Sequence, residues 1–348
     1  MNADRQHFLS AFISVHPRPN KGYHSRLALP QFTATPCFEP TSEELRFLPE
    51  GPRLLQNHPA GGLLLGWVAI QHGAQVQAGS INVLNLESGK NASFPLPGRP
   101  GFFAETDKPG VVLVGLERRL AYFDLLTGVL TETGPSVTGD QRVIINDGLA
   151  IDGGVLFGTK HLEFNQPLAA LYFFDCAAKT VRTVIDKQFC SNGKFLRRDA
   201  EGLRLIDIDS IPKTITDYRF DSKLERLLDS SLVTSPDSLP GYPDGLRPAP
   251  DGESVIVAFY NPEPVADGAV RQIRLADGEV LCEWRIPGAP RVTCPEFVQI
   301  AGEVKLVFTT AVEGMPAETR RLAPASGTLF IASTPFHSMP EPPPLVHL

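Results

Sequence analysis

The chain has 348 residues, 42% hydrophobic and 20% charged, with 32 Lys+Arg against 39 Asp+Glu and a formal charge of −7. That profile excludes a disordered chain, and without a positive excess to neutralise phosphates it argues against a nucleic-acid binder. The 30 Gly and 32 Pro exceed ordinary usage and fall as turn punctuation between apolar segments, the mark of many short strands.

No apolar run of about 18 residues is present, so no transmembrane helix is expected. The apolar patch at 8–15 leads into His16-Pro17-Arg18-Pro19 rather than a small-residue cleavage site. We therefore expect no signal peptide, no membrane partner and a cytoplasmic location. Cys37, Cys176, Cys190, Cys282 and Cys294 are odd in number and show neither CxxC nor Cys/His metal spacing, which predicts buried reduced thiols.

Helical periodicity is nearly absent, whereas alternating apolar runs ending in a polar turn recur. Residues 81–86 run into Gly89, 120–124 into Gly128, 171–175 into Lys179, 215–221 into Lys223 and 270–275 into Gly278, at intervals of 39, 51, 44 and 55. Such intervals suit one four-stranded propeller blade per repeat. Six apolar partner strands, at 62–68, 111–115, 154–159, 203–208, 255–260 and 305–310, predict an all-β fold, a six-bladed β-propeller. Its last blade should be completed by 327–332 meeting a strand near 31–38, so that the chain ends close the ring and remove exposed edges. The expected organisation is an N-terminal extension at 1–30, the propeller at 31–335 and a Pro-rich tail at 336–348.

The sequence lacks GxSxG, HExxH, GxGxxG and a P-loop, so neither a serine hydrolase, a zincin nor a nucleotide enzyme is indicated. What recurs in step with the repeats is an oxygen-bearing residue beside a glycine: Glu50 in Glu50-Gly51, Asn146 in Asn146-Asp147-Gly148, Asn192 in Asn192-Gly193 and Asp244 in Asp244-Gly245. We place these in loops ahead of the inner strands, where equivalent loops of all blades converge on a central channel. Two carboxylates and two amide oxygens suit a hard divalent cation in that channel. The same dipeptides are ordinary turn formers, and on the residues alone both readings stand. Asp152-Gly153, Asp251-Gly252 and Asp277-Gly278 read as outer hairpin turns without function.

In order and spacing, several motifs together resemble the family of senescence marker protein (regucalcin), gluconolactonase and luciferin-regenerating enzyme, over roughly residues 35–335. They are Leu48-Pro49-Glu50-Gly51-Pro52, Asn146-Asp147-Gly148 with Phe157-Gly158-Thr159, Ser191-Asn192-Gly193, Gly241-Tyr242-Pro243-Asp244-Gly245 and Pro290-Arg291-Val292-Thr293-Cys294-Pro295. The resemblance implies a six-bladed propeller with a metal-binding central channel. It implies Glu50, Asn192 and Asp244 as metal ligands, Asp244 also as general base, and Asn146 on the substrate or on a water beside the metal. Calcium is the first expectation for the ion, with magnesium, manganese or zinc as alternatives.

The family pattern has Arg where this chain has Ile144, and Met where it has Lys160, with His161 and Glu163 close behind. We expect Ile144, His161 and Glu163 to bear on substrate choice. The expected activity is metal-dependent hydrolysis of a small-molecule lactone. A less hydroxylated lactone or ester is expected to be preferred over gluconolactone, because Ile offers apolar area in place of a multi-donor group. The alternatives are a non-catalytic divalent-metal-binding regulatory propeller and a scaffold that binds proteins on its faces. Trp67, His72 and His161 are candidate gate residues, and Cys294 is read as a structural thiol rather than a nucleophile. Nothing in the pattern sets an oligomeric state.

Overall fold

The computed structural model describes residues 29–72, 77–132 and 136–348. Its strands form six sheets, the blades of a six-bladed β-propeller. The innermost strands are Leu48–Leu54, Pro100–Glu105, Val143–Ile151, Ser191–Asp199, Tyr242–Pro248 and Val292–Ile300. Each is followed by three antiparallel neighbours toward the rim, except that the chain start supplies the outer strand of the sixth blade.

The runs expected as apolar partner strands are the second strands, such as Leu64–His72, Gly154–His161 and Ser254–Tyr260. They read as near-continuous apolar runs because neighbouring blades cover both of their faces. The buried side chains accordingly fall into six clusters, each spanning two adjacent blades. Trp67 belongs to the cluster between the first and sixth blades, fully buried, with its indole N–H donated to Asn91 Oδ1 at 3.1 Å. It is therefore a core residue and not a gate.

The repeating polar turns have a common device. At the end of the third strand an Asn or Asp oxygen accepts backbone N–H groups two and three residues on: Asn85 from Glu87 and Ser88, Asp124 from Leu126 and Thr127, Asp175 from Ala177 and Ala178. The chain then turns through a positive φ at Gly89, Gly128, Lys179 and Gly278. In the fourth blade the left-handed residue is Leu224, one position beyond the expected Lys223.

Ring closure follows the expectation, with Thr35–Phe38 pairing antiparallel to Leu329–Ser333. An addition was not legible: Gln31–Thr33 lies parallel to Val280–Ile286 of the fifth blade, so the incoming chain stitches two blades together. At the other terminus Val346 bridges to Thr106 and His347 pairs with Asp107. Residues 339–345 line a cavity of about 1140 Å³ together with Gln56, Asp152, Arg197 and Pro250, at the outgoing ends of the inner strands.

Candidate functional site

Glu50, Asn146, Asn192 and Asp244 lie inside the innermost strands, not in loops ahead of them. In each case the ladder skips residues at the site, between Glu50 and Arg53, Ile145 and Gly148, Ser191 and Lys194, and Pro243 and Leu246. The remaining two inner strands carry the same irregularity, at Pro100/Phe102 and Val292/Cys294. These are β-bulges, which bend a strand and re-aim its side chains. The accompanying glycines let inner strands approach closely. A Cβ on Gly193 would lie 2.4 Å from the Leu246 nitrogen, and one on Gly245 2.4 Å from Cys294 Sγ.

Gly193→Ala is thus expected to destabilise the protein by roughly 1–3 kcal/mol and to displace Asn192. Gly139→Ala, where nothing lies within 4 Å of an added Cβ, should be neutral. Urea unfolding of both variants, with calorimetric titration of divalent cations, checks this.

The bulges bring Glu50 and Asp244 together from the first and fifth blades. Burial lifts both carboxyls well above the usual carboxylate range, and the Asp244 charge lifts Glu50 further. The Lys160 ammonium acts in the opposite sense on both without offsetting the rise. Asp244 is 6% exposed, and its Oδ1 is buried with no hydrogen-bond partner among the described residues. Asn192, 8% exposed, donates Nδ2 to Ser210 Oγ at 3.2 Å, and Ser210 Oγ donates to Pro243 O at 2.7 Å, which ties the bulges of two blades. Asn146 donates Nδ2 to Ser191 O at 3.1 Å. Both amides therefore keep their carbonyl oxygens for another partner.

No group of three His, Cys, Asp or Glu side chains placed to hold a metal occurs among the described residues. A cation here would instead take two carboxylates and an amide oxygen, a hard donor set. An orphaned buried carboxylate oxygen beside a second like-charged carboxylate fits that ion: the pair costs free energy without one.

Beneath the site a buried charge network crosses the channel. Arg53 donates to Gly148 O at 3.0 Å, Arg247 to Pro52 O and Glu296 Oε2 at 2.8 Å each, and Lys194 to the carbonyls of Asn192 and Asp147. Burial acts to raise the Asp147 carboxyl, but Lys194, Arg53 and Arg247 outweigh it and hold the group below its ordinary value. Sequence reasoning missed this network. Its signal was a basic residue two or three positions past the site residue in three repeats: Arg53, Lys194 and Arg247.

The other expected positions divide. Ile144, 1% exposed, stands directly opposite Lys160 in the antiparallel ladder. His161 is fully buried with neither ring nitrogen hydrogen-bonded to a described residue, and strand alternation puts it on the face opposite Lys160. Glu163 is exposed and accepts from Asn165 Nδ2 at 3.0 Å. Neither His161 nor Glu163 is brought to the carboxylate pair. Cys294 is buried against Gly245, and burial pushes its thiol up, which makes it inert. His72 does lie beside the site, between Arg99 and Lys160.

Fold and site together define a six-bladed propeller whose inner-strand bulges gather buried oxygen donors at one end of the channel. A family model described as the SMP-30/Gluconolactonase/LRE-like region matches residues 48–312, and the chain belongs to that family. It is 28% identical over 245 residues to an L-arabinolactonase of Azospirillum brasilense, covering 69% of this chain and 76% of that protein. Among solved structures it resembles regucalcin, a calcium-binding protein of Agrobacterium tumefaciens, at a TM-score of 0.74 and 20% identity over 92% of this chain and 99% of the other. It also resembles a luciferin-regenerating enzyme, at a TM-score of 0.72 and 18% identity over 87% and 96% of the two chains. At these identities the structural likeness speaks for the fold.

Proposed function

We propose that this protein is a divalent-cation-dependent hydrolase that opens a lactone ring. The observation that carries the reading is the buried Asp244 carboxylate, with one oxygen unpartnered, beside Glu50 at the channel end of a lactonase-containing family. Glu50, Asn192 and Asp244 would hold the ion, and the calcium-binding relative makes calcium the first candidate. When bound, a divalent cation supplies Lewis acidity, polarising a carbonyl oxygen and lowering the pKa of water beside it.

The chain's own residues do the rest. Asn146, its amide nitrogen engaged by Ser191 O, offers an oxygen that orients a substrate hydroxyl or the attacking water. Asp244 accepts the proton of that water as its oxygen bonds to the lactone carbonyl carbon. Burial raises the basicity of this carboxylate, and ligation to a dication lowers it again. Collapse breaks the ring C–O bond, and the proton passes from Asp244 to the departing ring oxygen, leaving a hydroxy acid. Ile144, directly across the ladder from Lys160, is the apolar neighbour that would disfavour a heavily hydroxylated ring.

The test is hydrolysis of a lactone panel by protein stripped with a chelator and then reloaded with calcium, magnesium, manganese or zinc. Turnover should vanish on stripping and return with one ion, and aliphatic lactones should exceed gluconolactone in kcat/KM. Turnover that survives stripping rejects cation dependence. A gluconolactone preference rejects the role given to Ile144. Because Glu50 and Asp244 hold protons more tightly than ordinary carboxylates, cation binding must displace protons. Affinity should therefore fall as pH falls, and calorimetry in buffers of different ionisation enthalpy should register the released protons.

A further inference from the structure

Lys160 is a buried cation that the opening of a neutral ring does not use. It lies on Gly154–His161, 7% exposed, and its Nζ stands 3.3 Å from His72 Nε2. Among the described residues no carboxylate oxygen lies within 4.0 Å of that ammonium. The other ring nitrogen of His72 faces Arg99 Nη1 at 3.2 Å. Burial, then Lys160 and Arg99, hold the imidazole neutral, with its pKa pushed down to about 2. A neutral imidazole has one lone pair, so it can accept from one of these two cations and not from both.

Arg99 is satisfied elsewhere. Its Nε and Nη2 reach the two oxygens of Glu117 at 2.8 and 2.7 Å. Lys160 has no such partner among the described residues. Glu313 approaches His72 Nε2 at 3.9 Å with its side chain 30% exposed, and it lies beyond 4.0 Å of the Lys160 ammonium. Lys160 is therefore a buried ammonium with no anionic group in contact among the described residues, and Ile144 stands directly across the ladder from it.

We infer that Lys160 anchors a carboxylate on the substrate, so that the substrate class is a lactone bearing a free acid group. Given the lactone reading above, on which this rests, Lys160 sets specificity through a charge-assisted hydrogen bond, while the apolar wall at Ile144 packs the ring. The product would be a hydroxy dicarboxylate.

The experiment compares 5-oxotetrahydrofuran-2-carboxylate with its neutral carboxamide, using the full cation-loaded chain and its Lys160→Met and Lys160→Gln variants. Circular dichroism establishes which variants are folded. Glutarate binding, measured by calorimetry, supplies a readout independent of turnover. The wild type should favour the carboxylate by about tenfold or more in kcat/KM, and that ratio should collapse in whichever variant is folded, together with glutarate binding. A wild type without this preference, or a ratio unchanged in a folded variant, overturns the inference and leaves the lactone reading intact. If neither ring opens while glutarate binds in a Lys160-dependent way, the hydrolysis reading fails and the carboxylate anchor stands.

Discussion

Asp244→Ala is expected to lower kcat/KM for lactone opening by about 10³-fold or more and, at the same time, to leave the cation-free protein at least as stable as the wild type. The two effects have opposite signs for one reason. In the cation-free fold Asp244 is a buried carboxylate with an unpartnered oxygen beside another carboxylate, a state that costs stability. On the proposed reading, the same group in a cation-loaded protein would serve as a ligand and a proton acceptor. Losing a Lewis-acid contribution of several kcal/mol removes about a decade of rate per 1.4 kcal/mol. Added calcium is expected to stabilise the wild type by binding its folded site, and that gain should disappear in the variant, which lacks one of the proposed ligands. Thermal unfolding with and without calcium, beside steady-state kinetics, reads all three quantities. Turnover retained with the cation still bound rejects Asp244 as the base, and retained cation stabilisation rejects it as a ligand.

Lys194→Met should be the most destabilising single change in the channel, by about 3–5 kcal/mol, since it removes one partner from a buried charged network. The Lys194 side chain is 1% exposed, holds the carbonyls of Asn192 and Asp147, and lies 3.6 Å from Asp147 Oδ2. Methionine fills the volume and leaves those acceptors short of a donor. The pH dependence has a definite sign. Asp147 has a folded pKa below its ordinary value, so its contribution is fully present above the ordinary carboxylate range and is lost as pH falls through the depressed value. The deficit of the variant should therefore be largest near neutrality and shrink in acid. Urea midpoints measured from neutral pH downward check this, and a deficit that is constant with pH would remove Asp147 from the account.

Much of the architecture was legible because it is local. Alternating apolar runs and Asx-anchored turns report their own conformation, and counting them yields six blades. Closure by the chain ends was legible because an open ring would leave edge strands. The local setting of the site was not. Asn192-Gly193 and Asp244-Gly245 read as turns, since those dipeptides favour turns in isolation. Here they are strand bulges, because six inner strands converging on a narrow axis need both the bend and the missing Cβ. The outer-hairpin glycines Gly153, Gly252 and Gly278, similar in sequence, are turns with positive φ. Trp67 looked equally able to line a channel or fill a core, and only blade packing placed it in the core.

By itself the sequence determined the all-β class, the number of repeats, the closing strand and the oxygen-bearing residues on which a cation site would depend. Only the tertiary structure decided which of them meet. It set Glu50 beside Asp244, ran Arg53, Lys194 and Arg247 across the channel, kept His161 away, and left Lys160 facing His72 with no carboxylate in contact among the described residues. The physical reason is that strand and turn formation depend on neighbours a few residues away. Encounters on the axis depend on how six sheets pack around a ring, and no local spacing encodes that geometry.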